Sequence, residues 1–326
     1  MDPVFSIVAP IFNEKENLPE LHHRISTVMD STGESWELLL IDDGSQDGST
    51  AVIRDLAEKD PRVRPVIFAR NFGHQLAVSA GMDYSRGQAV VIIDSDLQDP
   101  PEVILDLIAK WKEGFEVVYA VREEREGESW FKEVTASMFY RFINKITSVP
   151  IPLDTGDFRL MDRKVVDVLN RMREHHRFIR GMSVWVGFKQ TGVKYRRAAR
   201  FAGTTKYPLR KMIRFASDAI TGFSYIPLQL ATYLGFISAG ISILAIPFVI
   251  AIRLWGSHEP LLGQATTLIV VLFLGGVQLI SLGILGEYIG RLYEESKGRP
   301  LYVVREAPEF QTEDQTLTSE GVKKYT

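Results

Sequence analysis

Five short apolar runs punctuate the first 122 residues: FSIVAP, WELLLID, VRPVIFA, AVVIID and FEVVYAV. Each is too short for a helix and is bounded by polar or turn-forming residues, so each predicts a strand. Between them, helical patterns begin near Lys15, Gly48, His74 and Pro101. Strands that are apolar almost throughout, alternating with helices, predict a mostly parallel sheet covered on both faces.

The rhythm changes in the last third. From Ala219 to Ile252, and again from Ala265 to Gly286, there is no Asp, Glu, Lys or Arg. A bilayer core takes roughly 20 apolar residues, so two membrane spans are predicted, near Ile226–Leu254 and Ala265–Tyr288. Lys206, Arg210, Lys211 and Arg214 precede the first, Arg291, Lys297 and Arg299 follow the second, and the connector WGSHEPLLGQ has neither Lys nor Arg. Positive charge stays on the cytoplasmic side. The sheet unit and both termini are therefore expected in the cytoplasm, at the inner (plasma) membrane. Gly276, Gly283 and Gly290 fall at seven-residue steps, and a stripe of small residues lets helices approach closely. The expected partner is the first span or another copy of the chain, a homo-oligomer.

Two further stretches pattern as interfacial helices. In 129–147, Trp130, Phe131, Val134, Met138, Phe142 and Ile146 recur at helical spacing among Lys132, Arg141 and Lys145. In 208–224, Leu209, Met212, Ile213, Ala216 and Ile220 line up beside Arg210, Lys211 and Arg214. Basic amphipathic helices lie among lipid headgroups, although the first pattern also suits a surface helix packed on the core. The chain thus divides into a sheet unit at 1–207, a juxtamembrane helix at 208–224, two transmembrane helices at 225–288 and a tail at 289–326.

Composition narrows the classes. Hydrophobic residues make up 45% of the 326 residues, ample for a core, and a net charge of −3 gives no reason to expect nucleic acid. The absence of cysteine excludes disulfides and thiolate zinc sites. The start, MDPVFSIVAP, lacks the basic and apolar regions of a signal peptide.

In parallel sheets, ligands gather at the carboxyl ends of the strands, and there this chain is dense in acid. The first strand ends in Pro10, Asn13 and Glu14, the second in Asp42, Asp43, Gly44 and Ser45, the fourth in Asp94, Asp96, Gln98 and Asp99. In extended backbone, Asp94 and Asp96 would point one way and Ser95 the other. Asp99-Pro100-Pro101-Glu102 reads as a helix cap with proline in the first turn. Two carboxylates about 5 Å apart repel by a few kcal/mol at an effective dielectric near 20, so the cluster calls for a cation. Oxygen donors without His or Cys suit Mg2+ or Mn2+, magnesium in particular being held by one or two carboxylates plus substrate phosphates. No GxxxxGK[ST] follows a strand and no GxGxxG follows the first, which disfavours P-loop and dinucleotide enzymes.

The stretches VAPIFNEKENL, LLIDDGSQDGS, ARNFGHQLAVSAGMDYSRG, IIDSDLQDPPEVI, DTGDFRLMDRKVV, FIRGMSVWVGFKQ and RFAGTTKYPLRKM, covering residues 4 to 215, together resemble the family-2 glycosyltransferases of GT-A fold. More narrowly, they resemble the polyprenyl-phosphate glycosyltransferases, a group that includes dolichol-phosphate mannose synthase and the bacterial bactoprenol glucosyltransferases. The resemblance implies a Rossmann-like α/β sheet followed by interfacial and transmembrane helices. It implies inverting transfer of glucose from UDP-glucose to undecaprenyl phosphate; mannose from GDP-mannose, or N-acetylglucosamine or aminoarabinose from UDP donors, are alternatives. It puts Pro10, Asn13, Glu14, Asp42, Asp43, Asp94 and Ser95 along the nucleotide-sugar pocket. Asp94, Asp96 and Gln98 match the metal-binding DxDxQ, and Asp157, with Asp96, falls among the catalytic groups. Arg122, Arg200 and Lys206 are the expected acceptor-phosphate binders. His74, His175 and His176 have no partner in this reading. A processive polysaccharide synthase would carry QxxRW where this chain has SVWVGF, and a nonenzymatic nucleotide-sugar sensor would not need DxDxQ.

Overall fold

The computed structural model describes residues 2–123, 155–196, 224, 226–255 and 263–308. The expected helix at 129–147, residues 208–223 of the expected juxtamembrane helix, and the site candidates Arg200 and Lys206 lie outside them.

The five apolar runs form β1 (Phe5–Ile11), β2 (Trp36–Asp42), β3 (Val63–Phe68), β4 (Ala89–Ile92) and β5 (Val117–Arg122). Between them stand α1 (Leu18–Asp30), α2 (Ser49–Lys59), α3 (His74–Tyr84) and, after a 3₁₀ turn at Pro101–Val103, α4 (Ile104–Lys112). In α1, Leu18, Leu21, Ile25, Val28 and Met29 are buried, the stripe of a helix laid on a sheet. Just ahead of α2, Asp47 accepts from the backbone N–H of Ser49 at 2.9 Å.

Three strands go beyond the sequence reading. β6 (Thr155–Asp162) leads into α5 (Arg163–Arg171) and α6 (Ile179–Trp185), and β7 (Gln190–Tyr195) follows. The order across the sheet is β7-β5-β6-β4-β1-β2-β3-β8, where β8 (Val304–Glu306) comes from the chain's far end. β1 pairs in parallel with β2 and β4, β2 with β3, and β5 with β7, whereas β6 runs antiparallel to both β4 and β5. Alternate residues feed two cores. Phe5, Ile7, Ala9 and Ile11 face the side covered by α1 and α4, and Val8, Leu39 and Ile41 face α3 and α5. A Cβ on Gly81 would fall 2.0 Å from Val8 Cγ1, so only glycine lets α3 press this close to β1.

The two uncharged runs form α7 (Ile226–Trp255) and α8 (Gly263–Ser296). Both are long and apolar enough to cross a membrane, and their apolar windows are not buried inside the protein. The Tyr288 hydroxyl donates to the Ser224 carbonyl at 2.6 Å, so the far end of α8 lies beside the start of α7. After α8 the chain returns to the sheet instead of trailing away. β8 pairs antiparallel with the edge strand β3, and Tyr302 stacks on Phe68 at 5.0 Å.

Candidate active site

The carboxyl ends of β1, β2 and β4 meet at one edge. Asn13, in left-handed backbone (φ 57°), accepts from Gln46 N at 2.8 Å, and its own N–H donates to Ser45 Oγ at 3.0 Å. Glu14 binds the Asn17 side chain, and its N–H donates to Ser49 Oγ. Asp42 is fully buried and accepts from Ser45 N and the Thr50 hydroxyl. Asp43 accepts from the N–H groups of Phe72 and Gly73. Burial pushes its carboxyl up, and those two N–H groups only partly offset this. Both aspartates therefore shape the loops that carry Ser45 and His74. Gly44 permits the tight packing between them, with φ +71° and a would-be Cβ 2.6 Å from the Arg70 carbonyl carbon.

β4 ends at Ile92, and the chain then turns instead of staying extended as expected, with Leu97 buried at φ 58°. A left-handed leucine is strained and persists only where its surroundings hold it, most often at functional sites. Ser95 turns inward and donates to the Pro10 carbonyl at 3.0 Å, tying the β4 loop to β1. Asp94 and Asp96 stay half-buried on the other side, and Asp96 accepts from Gln98 N at 3.1 Å. Asp99 is not the helix cap expected from its place before two prolines. It is fully buried, accepts from the Tyr195 hydroxyl at the end of β7, and pairs with Arg122 Nη2 at 3.6 Å. Arg122 also donates to Tyr195 Oη and crosses Gly156, where a Cβ would stand 2.7 Å from Nη2.

The antiparallel β6 completes the site. Its register sets Ile92 against Arg159. Two steps further along each strand bring Asp157 to the region of Asp94. Asp157 Oδ1 accepts from Arg180 Nε at 2.8 Å, and Oδ2 lies 3.0 Å from both His74 Nε2 and Gln75 Nε2. The Gln75 side-chain oxygen, Oε1, accepts from Ile179 N at 2.9 Å, joining the start of α3 to the start of α6. Arg159, buried beneath, donates to the backbone carbonyls of Gly156 and Asp157 and to the Ser183 hydroxyl. Burial holds its guanidinium down to about 10.

Electrostatics divides the cluster. Burial alone would raise the Asp157 carboxyl, but the Arg180 charge and the His74 hydrogen bond hold it well below the usual range. His74 is driven the other way: burial opposes protonation, yet Asp157 and Asp94, the latter 3.7 Å away, lift the imidazole to about 9. Asp94 is pushed up to about 6 by burial, against the pull of His74 and with the charges of Asp157, Asp99 and Asp96 adding to the rise. At neutral pH the centre thus holds an imidazolium between carboxylates, with Arg180 on its flank. Sequence reasoning passed over His74, Gln75 and Arg180. The signal was their position, since NFGHQ opens a helix after a strand and FIRG opens α6, the second helix after β6. His175 and His176, also left without partners, face Glu295 and Glu294 of α8.

Among the described residues, no group of three or more His, Asp or Glu side chains converges as a metal cage. Asp94 and Asp96 nevertheless fit a hard divalent ion. Their donors are oxygens, they lie two residues apart in a turn, and the crowding of negative charge around Asp94 is what a bound cation would relieve.

The sequence model of glycosyl transferase family 2 matches residues 6–169. The chain is 50% identical to the uncharacterized glycosyltransferase YkcC of Bacillus subtilis, over 93% of this chain and 94% of that one. It is 43% identical to the bactoprenol glucosyl transferase of Shigella phage SfV, over 92% of this chain and 97% of that one. Among solved structures, glucosyl-3-phosphoglycerate synthase from Mycobacterium tuberculosis, in complex with Mn2+, UDP-glucose and phosphoglyceric acid, aligns with a TM-score of 0.44 at 21% identity, over 67% of this chain and 78% of that one.

Proposed function

The chain belongs to glycosyl transferase family 2, and from that premise we propose that it transfers glucose from UDP-glucose to a polyprenyl phosphate at the inner face of the plasma membrane. One observation carries this reading: the chain that builds the Asp94–His74–Asp157 cluster also supplies two helices able to cross a membrane. The likeness to a bactoprenol glucosyl transferase supports the same acceptor.

The nucleotide and sugar lie along the β1, β2 and β4 loops, near Asn13, Glu14 and Ser95. Asp94 and Asp96, with Gln98, would hold Mg2+ or Mn2+, and the ion would supply positive charge against the diphosphate leaving group. An oxygen of the acceptor phosphate bonds to the anomeric carbon as the bond from that carbon to UDP breaks. One such displacement inverts the configuration there. A phosphate monoester has a second pKa near 6 and is mostly dianionic at pH 7, so this nucleophile needs no base. Asp157, held far below the usual carboxylate range, is a poor base and a good anchor. It fixes Arg180 and His74 where negative charge gathers. Arg122, with Arg200 and Lys206 nearer the first span, receives the acceptor phosphate.

The test uses the full-length protein in detergent with radiolabelled UDP-glucose and undecaprenyl phosphate, followed by lipid extraction. Label that enters the organic phase only when the lipid is present is the expected result. Label confined to the aqueous phase overturns the acceptor, and transfer from GDP-mannose or UDP-N-acetylglucosamine alone reassigns the sugar.

A further inference from the structure

We propose that the last turn of α8 positions the active site: Glu294 and Glu295 act on Asp157 through the segment joining α5 to α6. The inference rests on the reading of Asp157 as a working residue. Glu295 accepts from the His175 backbone N–H at 2.7 Å and faces its Nδ1 at 3.0 Å. The other ring nitrogen of His175 lies 3.0 Å from the Arg299 carbonyl, and His176 Nε2 lies 2.8 Å from Glu294. α8 and the turn after it thus hold two consecutive residues by four contacts. Three and four residues further on stand Ile179, whose N–H is fixed by Gln75, and Arg180, which donates to Asp157.

The chain beyond α8 also grips the second support of Asp157. α3 presents His74 and Gln75 at its start and Asp83 near its end. Asp83 accepts from the Tyr302 hydroxyl at 2.6 Å and from Arg173 at 2.7 Å. α3 is therefore tethered to chain that follows α8, and the segment leading into α6 to the last turn of α8 and the turn after it. Stability is not the main product of these contacts, because exposed ion pairs contribute roughly 0–1 kcal/mol each. Geometry is, since a displacement of about 1 Å in a reacting group can cost 10²-fold in rate.

The experiment compares wild type, Glu294→Ala/Glu295→Ala, Gln75→Ala and the triple variant as full-length proteins in detergent, with UDP-glucose and undecaprenyl phosphate. The glutamate pair is expected to lower kcat about tenfold, within the range that misplacement produces, and to leave the dissociation constant for UDP unchanged. Gln75 and the glutamates share no hydrogen bond, yet their effects should be non-additive, the triple variant losing no more than Gln75→Ala alone. The amide variant Glu295→Gln, which can still accept from His175 N–H, should restore most of the rate lost on removing Glu295. Additive losses, or wild-type kcat in the glutamate variant, overturn the proposal. Should that variant not fold, His175→Ala/His176→Ala removes the same contacts from the other side, with the same expectations. Asp157→Asn is the control. Full activity there sinks the reading of Asp157 itself, whereas an impaired Asp157→Asn beside an unimpaired glutamate variant sinks only this inference.

Discussion

His74 Nε2 and Asp157 Oδ2 lie 3.0 Å apart although 83 residues separate them in the chain. The sheet brings them together: His74 opens the helix that follows β3, and Asp157 rides the strand that runs against β4. Each changes the other, with the imidazole lifted to about 9 and the carboxylate driven well below its usual range. Each thus favours the charged form of the other.

The first prediction follows for the pH profile. Asp157→Asn lowers kcat/KM, because Arg180 and His74 lose the anion that holds them. The inflection near pH 6 belonging to the acceptor phosphate persists in the variant. A more acidic acceptor analogue moves that inflection downward in both proteins. An inflection present in the wild type and lost in Asp157→Asn would instead make Asp157 the general base, a role worth about 10²–10⁴-fold.

The second concerns the metal. Asp96→Ala abolishes turnover, and EDTA does so reversibly, with activity restored by Mg2+ or Mn2+. Asp96 is half-buried, with a local bond to Gln98 N, so its loss should shift stability by no more than about 0.5–1 kcal/mol. Calorimetric melting checks the fold. Undiminished turnover in EDTA sinks the assignment.

A third prediction lies at the opposite end of β2 from the site. Glu37, 2% exposed, accepts from Ser6 Oγ, Arg86 N and the guanidinium groups of Arg64 and Arg86. Burial would raise its carboxyl, but these donors win and hold it below the ordinary 4.5. A depressed carboxylate stabilises the fold at pH above the unfolded value and loses that contribution as pH falls through the folded one. Glu37→Gln should therefore cost about 3 kcal/mol at pH 7, as expected when one partner of a buried pair is removed. The gap to wild type should close as pH drops below 4.5. Urea unfolding of the soluble portion at a series of pH values measures it, and a gap independent of pH refutes the linkage.

The fourth concerns the strap after α8. Ending the chain at residue 222 removes β8, bares the β3 edge and strips Tyr302 from Phe68. The pocket loops all lie earlier, so UDP binding by calorimetry should survive. Stability should fall by about 1.5–3 kcal/mol, the scale of one buried aromatic side chain. A peptide of residues 297–308 should raise the melting temperature again. A truncated chain as stable as one that keeps the strap would show that β8 contributes nothing.

Much of the sheet was legible because its first five strands are apolar on both faces. β6 escaped because TGDFRLMD buries two charged side chains, Asp157 and Arg159, which satisfy each other's surroundings only once folded. β7 is a half-exposed edge with the polar sequence QTGVKY, and β8 is three residues long. At the site, the acidic loops announced themselves through strand context. Asp99 did not, since the tyrosine that buries it comes 96 residues later. His74 looked idle for the same reason: its partners lie on another strand, and local spacing carries no trace of them.

The placement of β8 has a consequence for the order in which the molecule is made. It is the last strand to leave the ribosome among those described, and α7 and α8 are both synthesised before it. A nascent chain therefore holds an open β3 edge throughout the making of its two apolar helices. Only a chain in which the end of α8 has come back beside the sheet can donate the closing strand. Until β8 arrives the sheet is unfinished, and a chain that failed to bring it back would be left with an unpaired, adhesive edge.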